Sequence, residues 1–383
     1  MTPRERVETA LAHREPDRIP FDLGSTGSTG IATQAAEGIF RARGWDASRL
    51  WVGDLKQGLA GLDDEALSEL GVDTRGIQRK SGSGWKLDIS EDAAGTRSFT
   101  DEWGIGWRKT RESRYYDMAS HPLADASSAE DLAAHPWPDP VDPVRLEGIS
   151  ERAEVISDGL GCAAVLGSIV VGVFEFSWYM RGLEAMFMDM ALRPELAGAL
   201  LDRLVEIKMA FWDKVLPSVA GKVSVVREGD DLGSQSGLLM SPEMYRDIVK
   251  PRHKRLFSFI KERCGGAKLF LHSCGAIREL IPDLIEIGVD ILNPVQVSAA
   301  GMDTAELKAE FGSELTFWGG GVDTQKVLPY GTPGEVREEV RRRVGDLAPG
   351  GGFVFATVHN IQGDVPLENI EAMLDEFEKL RDY

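Results

Sequence analysis

Two imidazoles and a thiol are the residues of this chain best suited to chemistry. His272-Ser273-Cys274-Gly275 follows the apolar run Ala267-Lys268-Leu269-Phe270-Leu271, and a second histidine, His359, closes another apolar run, Phe353-Val354-Phe355-Ala356-Thr357-Val358. In an extended strand residues i and i+2 point to one side, so His272 and Cys274 can reach one cation from a single segment. Imidazole nitrogen and thiolate sulfur are the preferred donors for zinc, and a catalytic zinc uses three protein ligands with one position open or displaceable. His272, Cys274 and His359 are therefore the candidate metal ligands, and Zn2+ the candidate ion. The plainer alternative is a buried thiol beside a hydrogen-bonded core histidine. His13, His121, His135 and His253 fall in segments that read as exposed or helical, where structural roles are expected.

The elements that must position these groups form a rhythm. From about residue 146 onward, helical patterns alternate with the short apolar runs 163–169, 223–228, 267–271, 290–294, 315–319 and 353–359. Such alternation means a parallel sheet with crossover helices. Six strands are visible, and residues 19–23 and 50–54 offer one or two more. That total predicts an α/β fold, a (β/α)8 TIM barrel, whose active site gathers at the C-terminal strand ends. Residues 76–121, where Gly, Ser and Trp alternate with charges, have hairpin composition and read as an antiparallel insertion in the N-terminal third. The whole of 1–383 is expected to be one domain.

The strand ends supply the other candidates. Glu228, Asp230 and Asp231 follow one strand as catalytic groups, able to act as a fourth ligand or as a proton relay. Asn293 and Gln296 follow another and are placed to orient substrate. Trp178 and Tyr179 follow the 163–169 run and either wall a pocket or fill helix core. The small-residue loop Gly24–Gly30 could cradle an anion through its backbone, but it lacks the lysine and spacing of a phosphate-binding loop.

Composition narrows the partners. A net charge of -19 argues against nucleic acid, since phosphate contacts need a basic face. Three cysteines, Cys162, Cys264 and Cys274, make no disulfide framework, so a reducing, cytoplasmic setting is expected. No apolar run approaches the length of a membrane span, and the first residues lack the apolar stretch of a signal peptide.

The chain resembles the uroporphyrinogen decarboxylase superfamily over nearly its whole length. The resemblance rests on Arg14-Glu15-Pro16-Asp17-Arg18-Ile19-Pro20, Gly229-Asp230-Asp231-Leu232-Gly233-Ser234-Gln235, His272–Gly275 and Pro366-Leu367-Glu368-Asn369-Ile370. It implies a (β/α)8 barrel. Decarboxylases of that superfamily carry an arginine-rich motif after the Pro-Asp-Arg-Ile-Pro segment; here Phe21–Thr29 holds no arginine. Guanidinium is the natural partner of carboxylate, so tetrapyrrole decarboxylation is not expected.

The resemblance is nearer to the zinc-dependent, corrinoid-linked methyltransferase branch. Its third ligand is a Cys ten residues before the Asn of the Pro-x-Glu-Asn segment; here that position is His359. A histidine keeps a zinc-competent donor but removes a negative charge, which leaves the ion a stronger Lewis acid and suits an oxygen substrate. The resemblance thus implies a methyltransferase, O-demethylase-like, moving a methyl group from a methoxylated or other small donor to a cob(I)alamin corrinoid on a separate protein. It also allows a homodimer. Two alternatives stay open: cofactor-free decarboxylation, which would need basic pocket residues such as Arg227, Arg111 or Lys268, and a non-catalytic binding protein in which zinc only staples the barrel.

Overall fold

The computed structural model describes residues 1–383. Its centre is a seven-stranded parallel sheet in the spatial order Phe353–Val354, Thr316–Trp318, Ile291–Asn293, Lys268–His272, Val225–Gly229, Ala163–Gly167, Thr74–Ile77. The two outer strands are joined by residues 19–23. Phe355 N–H donates to Pro20 C=O at 2.8 Å and Asp22 N–H to Phe355 C=O at 2.9 Å. On the other side Asp73 N–H donates to Phe21 C=O at 2.9 Å. An eighth, short segment so closes the sheet into a TIM-barrel-like ring.

Strand alternation sorts the side chains into two cores. Ala163, Val165, Val225, Phe270, Ile291, Trp318 and Val354 point inward and form one cluster with Val7 and Leu11. Their neighbours Ala164, Leu166, Val226, Leu269, Leu271, Leu292 and Phe317 point outward, into the core shared with the helices. Val7 and Leu11 belong to the helix Pro3–Leu11, capped as expected by Thr2, whose side chain accepts from Glu5 N–H. Arg4 N–H bonds Gly161 C=O and Gly352 N–H bonds Ala10 C=O. Both contacts precede strands, so this helix plugs the N-terminal end of the barrel and leaves the C-terminal end for chemistry.

Three expectations change. Leu50–Asp54 is no barrel strand: it pairs antiparallel with Leu59–Leu62 in an outer hairpin. Its place is taken by Thr74–Ile77, which overlaps the start of the expected insertion. The insertion itself is a four-stranded antiparallel sheet, Ser90–Glu91, Arg97–Thr100, Gly106–Lys109 and Asp117–Ser120. The helical stretch expected at 174–190 is two helices, Val173–Arg181 and Leu183–Leu192, broken at Gly182, whose φ of 90° leaves the helical region. No helix is long and apolar enough to cross a membrane.

Candidate metal centre

Register brings the candidate ligands together. His272 pairs with Gly229 on one side and with Asn293 on the other, so these three residues lie in one row across the C-terminal rim. The donor atoms of His272, Cys274 and His359 all lie within 4.8 Å of one another. His272 Nε2 and Cys274 Sγ are 3.5 Å apart, about the tetrahedral edge that zinc bonds of 2.0–2.3 Å require. The imidazoles of His272 and His359 meet edge to face, with ring centroids 5.6 Å apart.

Asn293 fixes which nitrogen of His272 faces the trio. Its Nδ2 donates to Trp318 C=O at 2.7 Å, so its Oδ1 is the acceptor facing His272 Nδ1 at 2.6 Å. Nδ1 therefore carries the hydrogen, and the lone pair of Nε2 points at Cys274. This is the outer-shell hydrogen bond that metal-binding histidines use. Burial pushes His272 down to about 3, with the nearby Arg227 adding to the effect, and it pushes His359 down to about 4, helped by His272. Both rings are neutral at pH 7, as ligation demands. Burial, then the charges of Asp231 and Glu175, raise Cys274 well above the usual thiol value; a dication between the donors is what would favour its thiolate. Donor types, spacing and the oriented lone pair fit zinc.

The acidic triplet divides. Asp231 stands beside the trio: its Oδ1 accepts from Cys274 N–H at 2.8 Å and lies 3.7 Å from His272 Nε2. Asp230 is a helix cap. It accepts from the backbone N–H of Phe174 and Glu175 at 2.8 and 2.5 Å and from His253 Nε2 at 2.7 Å. Glu228 faces outward, as strand alternation requires, and is held by Lys208 at 2.8 Å, Trp212 Nε1 at 2.6 Å and Ser168 Oγ at 2.9 Å. The structure does not bring Asp230 or Glu228 to the donor trio, so neither is the expected fourth ligand; the carboxylate nearest to that position is Asp231.

The expected substrate-binding residues are likewise committed elsewhere. Asn293 is fully buried between His272 and Trp318. Gln296 Oε1 accepts from Gly275 N–H at 2.7 Å and so holds the turn after Cys274. That turn needs glycine, since Gly275 has φ +95° and a Cβ there would lie 2.3 Å from Gly233. Tyr179 packs on Trp178 and Trp107, and its hydroxyl donates to Glu175 Oε1 at 2.9 Å.

Glu175 escaped the sequence reading. It lies in the first turn of the Val173–Arg181 helix, 8% exposed. Burial, then the charges of Asp231 and Asp230, push it up to about 8. Its one signal in the sequence is a carboxylate amid Val173-Phe174-Glu175-Phe176.

A cavity of about 470 Å³ lies at the strand ends and reaches Arg227, on the strand that neighbours His272. The Gly24–Gly30 loop forms part of its wall, as do Arg79, Trp85, Phe99, Trp103 and Arg227. Asn360, next to His359, ties that loop down through Gly30 N–H and Gly27 C=O. Of the basic residues proposed for a pocket, Arg227 is in this wall, whereas Lys268 starts its strand at the far end and Arg111 lies against Gly95 in the insertion. Arg79 was not anticipated.

Comparison with known proteins places the chain. A methylated-thiol–coenzyme M methyltransferase of Methanosarcina mazei is 25% identical over 244 residues, 62% of this chain and 59% of that protein. Uroporphyrinogen decarboxylases of Psychromonas ingrahamii and Alkalilimnicola ehrlichii are 26% and 25% identical, over 49% and 73% of either chain. The chain thus spans about half to three fifths of the length of the first two relatives. The solved structure of a methyltransferase from Methanosarcina mazei superposes with a TM-score of 0.63 over 99% of both chains at 18% identity, a likeness of fold. The pattern of the uroporphyrinogen decarboxylase (URO-D) family matches residues 118–380, and the chain belongs to that family.

Proposed function

We propose that this protein is a zinc-dependent methyltransferase that passes a methyl group from a small methyl donor to a cob(I)alamin corrinoid carried by a partner protein. The observation that carries the reading is the donor trio: two neutral imidazoles and a thiol within 4.8 Å, one imidazole held in the metal-facing tautomer by Asn293. The similarity to a methyltransferase supports it.

His272, Cys274 and His359 would hold the ion, with Asp231 at hand as a fourth ligand or as an acceptor beside it. When bound, zinc supplies Lewis acidity toward the heteroatom that carries the methyl group. The chain's own groups set the rest. Asn293 keeps His272 aligned. Asp231 and Gln296 fix the backbone at Cys274 and Gly275. Glu175, pushed up by burial and bonded by Tyr179, is the carboxyl that would hold a proton for the demethylated product. The Trp85, Phe99 and Trp103 side of the cavity shields the donor from water.

The test is elemental analysis of purified protein with an assay of cob(I)alamin methylation across methyl ethers, methanol and methylamines. About one zinc per chain is expected, and His272→Ala or Cys274→Ala should remove both zinc and methyl transfer. Protein free of zinc whose His272→Ala form still transfers methyl groups sinks the reading. The decarboxylase relatives give a second reading some support, because Arg227 lies in the cavity wall. Carbon dioxide release that survives chelation would favour it.

A further inference from the structure

Two guanidinium groups line the cavity without a close carboxylate partner to themselves. Arg227 faces inward from the strand Val225–Gly229, makes no ion pair, and has its Nε buried without a hydrogen-bond partner. Its one side-chain contact is Nη2 to Ser28 Oγ at 3.3 Å. Arg79 has only Glu102 within ion-pair range, at 3.7 Å. Glu102 is already held by two nitrogens of Arg145 at 3.0 and 2.7 Å, and Arg79 Nε otherwise meets Ser168 C=O at 3.4 Å. The remaining charges of the wall are answered: Lys56 pairs with Asp101 at 2.9 Å, and Asp54 accepts from Gln57 N–H at 2.8 Å. Both side chains are half-buried, where a cation without a close counter-ion is poorly compensated, and a guanidinium fork matches an oxyanion.

The two arginines meet at one opening. Arg227 is in register with Gly167, and Arg79 touches the next residue, Ser168. A Cβ on Gly167 would meet nothing within 4 Å, so the strand end between them opens on free space. Arg227 also brings the cavity wall close to the trio, since a Cβ on Gly229 would lie 3.3 Å from both Arg227 Nη2 and His272 Cβ. Trp85, Phe99, Trp103 and Leu59 supply an apolar wall. A volume of about 470 Å³ is at the small end of ligand pockets.

We infer that the methyl donor is an organic oxyanion, a carboxylate or sulfonate on a small apolar body, gripped by Arg79 and Arg227 with its methyl group toward His272 and Cys274. The identification as a methyl donor rests on the function proposed above; the recognition of the oxyanion does not. Arg79 comes from the segment that leads from the barrel into the insertion, so the insertion takes part in choosing the substrate.

Calorimetric titration of the full chain with 4-methoxybenzoate, 4-methoxybenzenesulfonate and uncharged methoxybenzene tests it. At least one of the acids should bind about 10- to 100-fold more tightly than methoxybenzene, the range for a charge-assisted hydrogen bond. Arg227→Gln and Arg79→Gln should each erase most of that preference and leave methoxybenzene binding unchanged. Gly167→Val, which fills the opening, should weaken all three ligands while the melting temperature and zinc content hold. Equal binding of acids and methoxybenzene, or an acid preference that survives both arginine changes in folded protein, overturns the inference. Methyl transfer from methoxybenzene as fast as from either acid would also overturn it while sustaining the methyltransferase reading. Acid binding without methyl transfer would do the reverse.

Discussion

Asn293 shows how one residue can matter without touching substrate. Its amide is bonded on both sides, to Trp318 C=O and to His272 Nδ1. Asn293→Ala should therefore loosen the histidine and weaken zinc affinity by about 10- to 100-fold, measured by competition with a chromogenic chelator. Unchanged affinity would reduce Asn293 to packing. At this scale the sequence discloses residue types better than their partners. His272, Cys274 and His359 were legible because few residue types ligate zinc and all three end apolar runs. Asp230 was not, since its partner is the start of a helix more than fifty residues earlier in the chain. Arg79 and Glu175 were hidden for the same reason: each gains meaning from neighbours remote in sequence.

Between strand and helix the decisive contact is buried and ionic. Lys208, in the helix Pro194–Val215, reaches Glu228 at 2.8 Å, Ser168 Oγ at 2.8 Å and two backbone carbonyls. It fastens the longest helix to one barrel strand and to the segment that follows another. Removing one member of such a pair leaves the other charge without compensation, at about 3–5 kcal/mol. Lys208→Met should lose that much in denaturant unfolding, and Lys208→Met with Glu228→Leu should recover most of it. A single change costing under about 1 kcal/mol would contradict the view of this pair as the fastener. Most barrel strands were visible as short apolar runs. Thr74-Arg75-Gly76-Ile77 was not, because its Arg75 is 1% exposed and satisfied by Asp64, Ser68 and nearby carbonyls. A charged residue that is buried breaks the pattern by which a strand is read. Leu50–Asp54 has the composition of a strand and is one, in the wrong sheet; composition does not choose a pairing partner.

For the molecule as a whole, part of the acid stability follows from arginine–aspartate pairs. Hydrogen bonds from Arg6, Arg49 and Arg152 hold the carboxyls of Asp17, Asp63 and Asp64 below the usual range. Each folded value lies below the unfolded one, about 3.9. Their stabilisation is therefore complete above about pH 4 and is lost as pH falls through the folded values. These carboxylates are 31–41% exposed, so salt should flatten the effect. Below about pH 4 the melting temperature should fall less steeply for Arg6→Ala and Arg49→Ala than for the parent. An acid limb identical in all three proteins would assign it to other groups.

The ring is completed late. Residues 19–23 sit between the strand that follows Asp73 and the strand that begins at Phe353, and Ile19 N–H bonds Arg381 C=O. During synthesis the barrel's gap faces a place that the ribosome has yet to supply, and Phe21 must wait for Phe355. Pairings this remote along the chain are slow to form, so the nascent protein would carry an open sheet, with two raw margins, until the strand at Phe353 emerges.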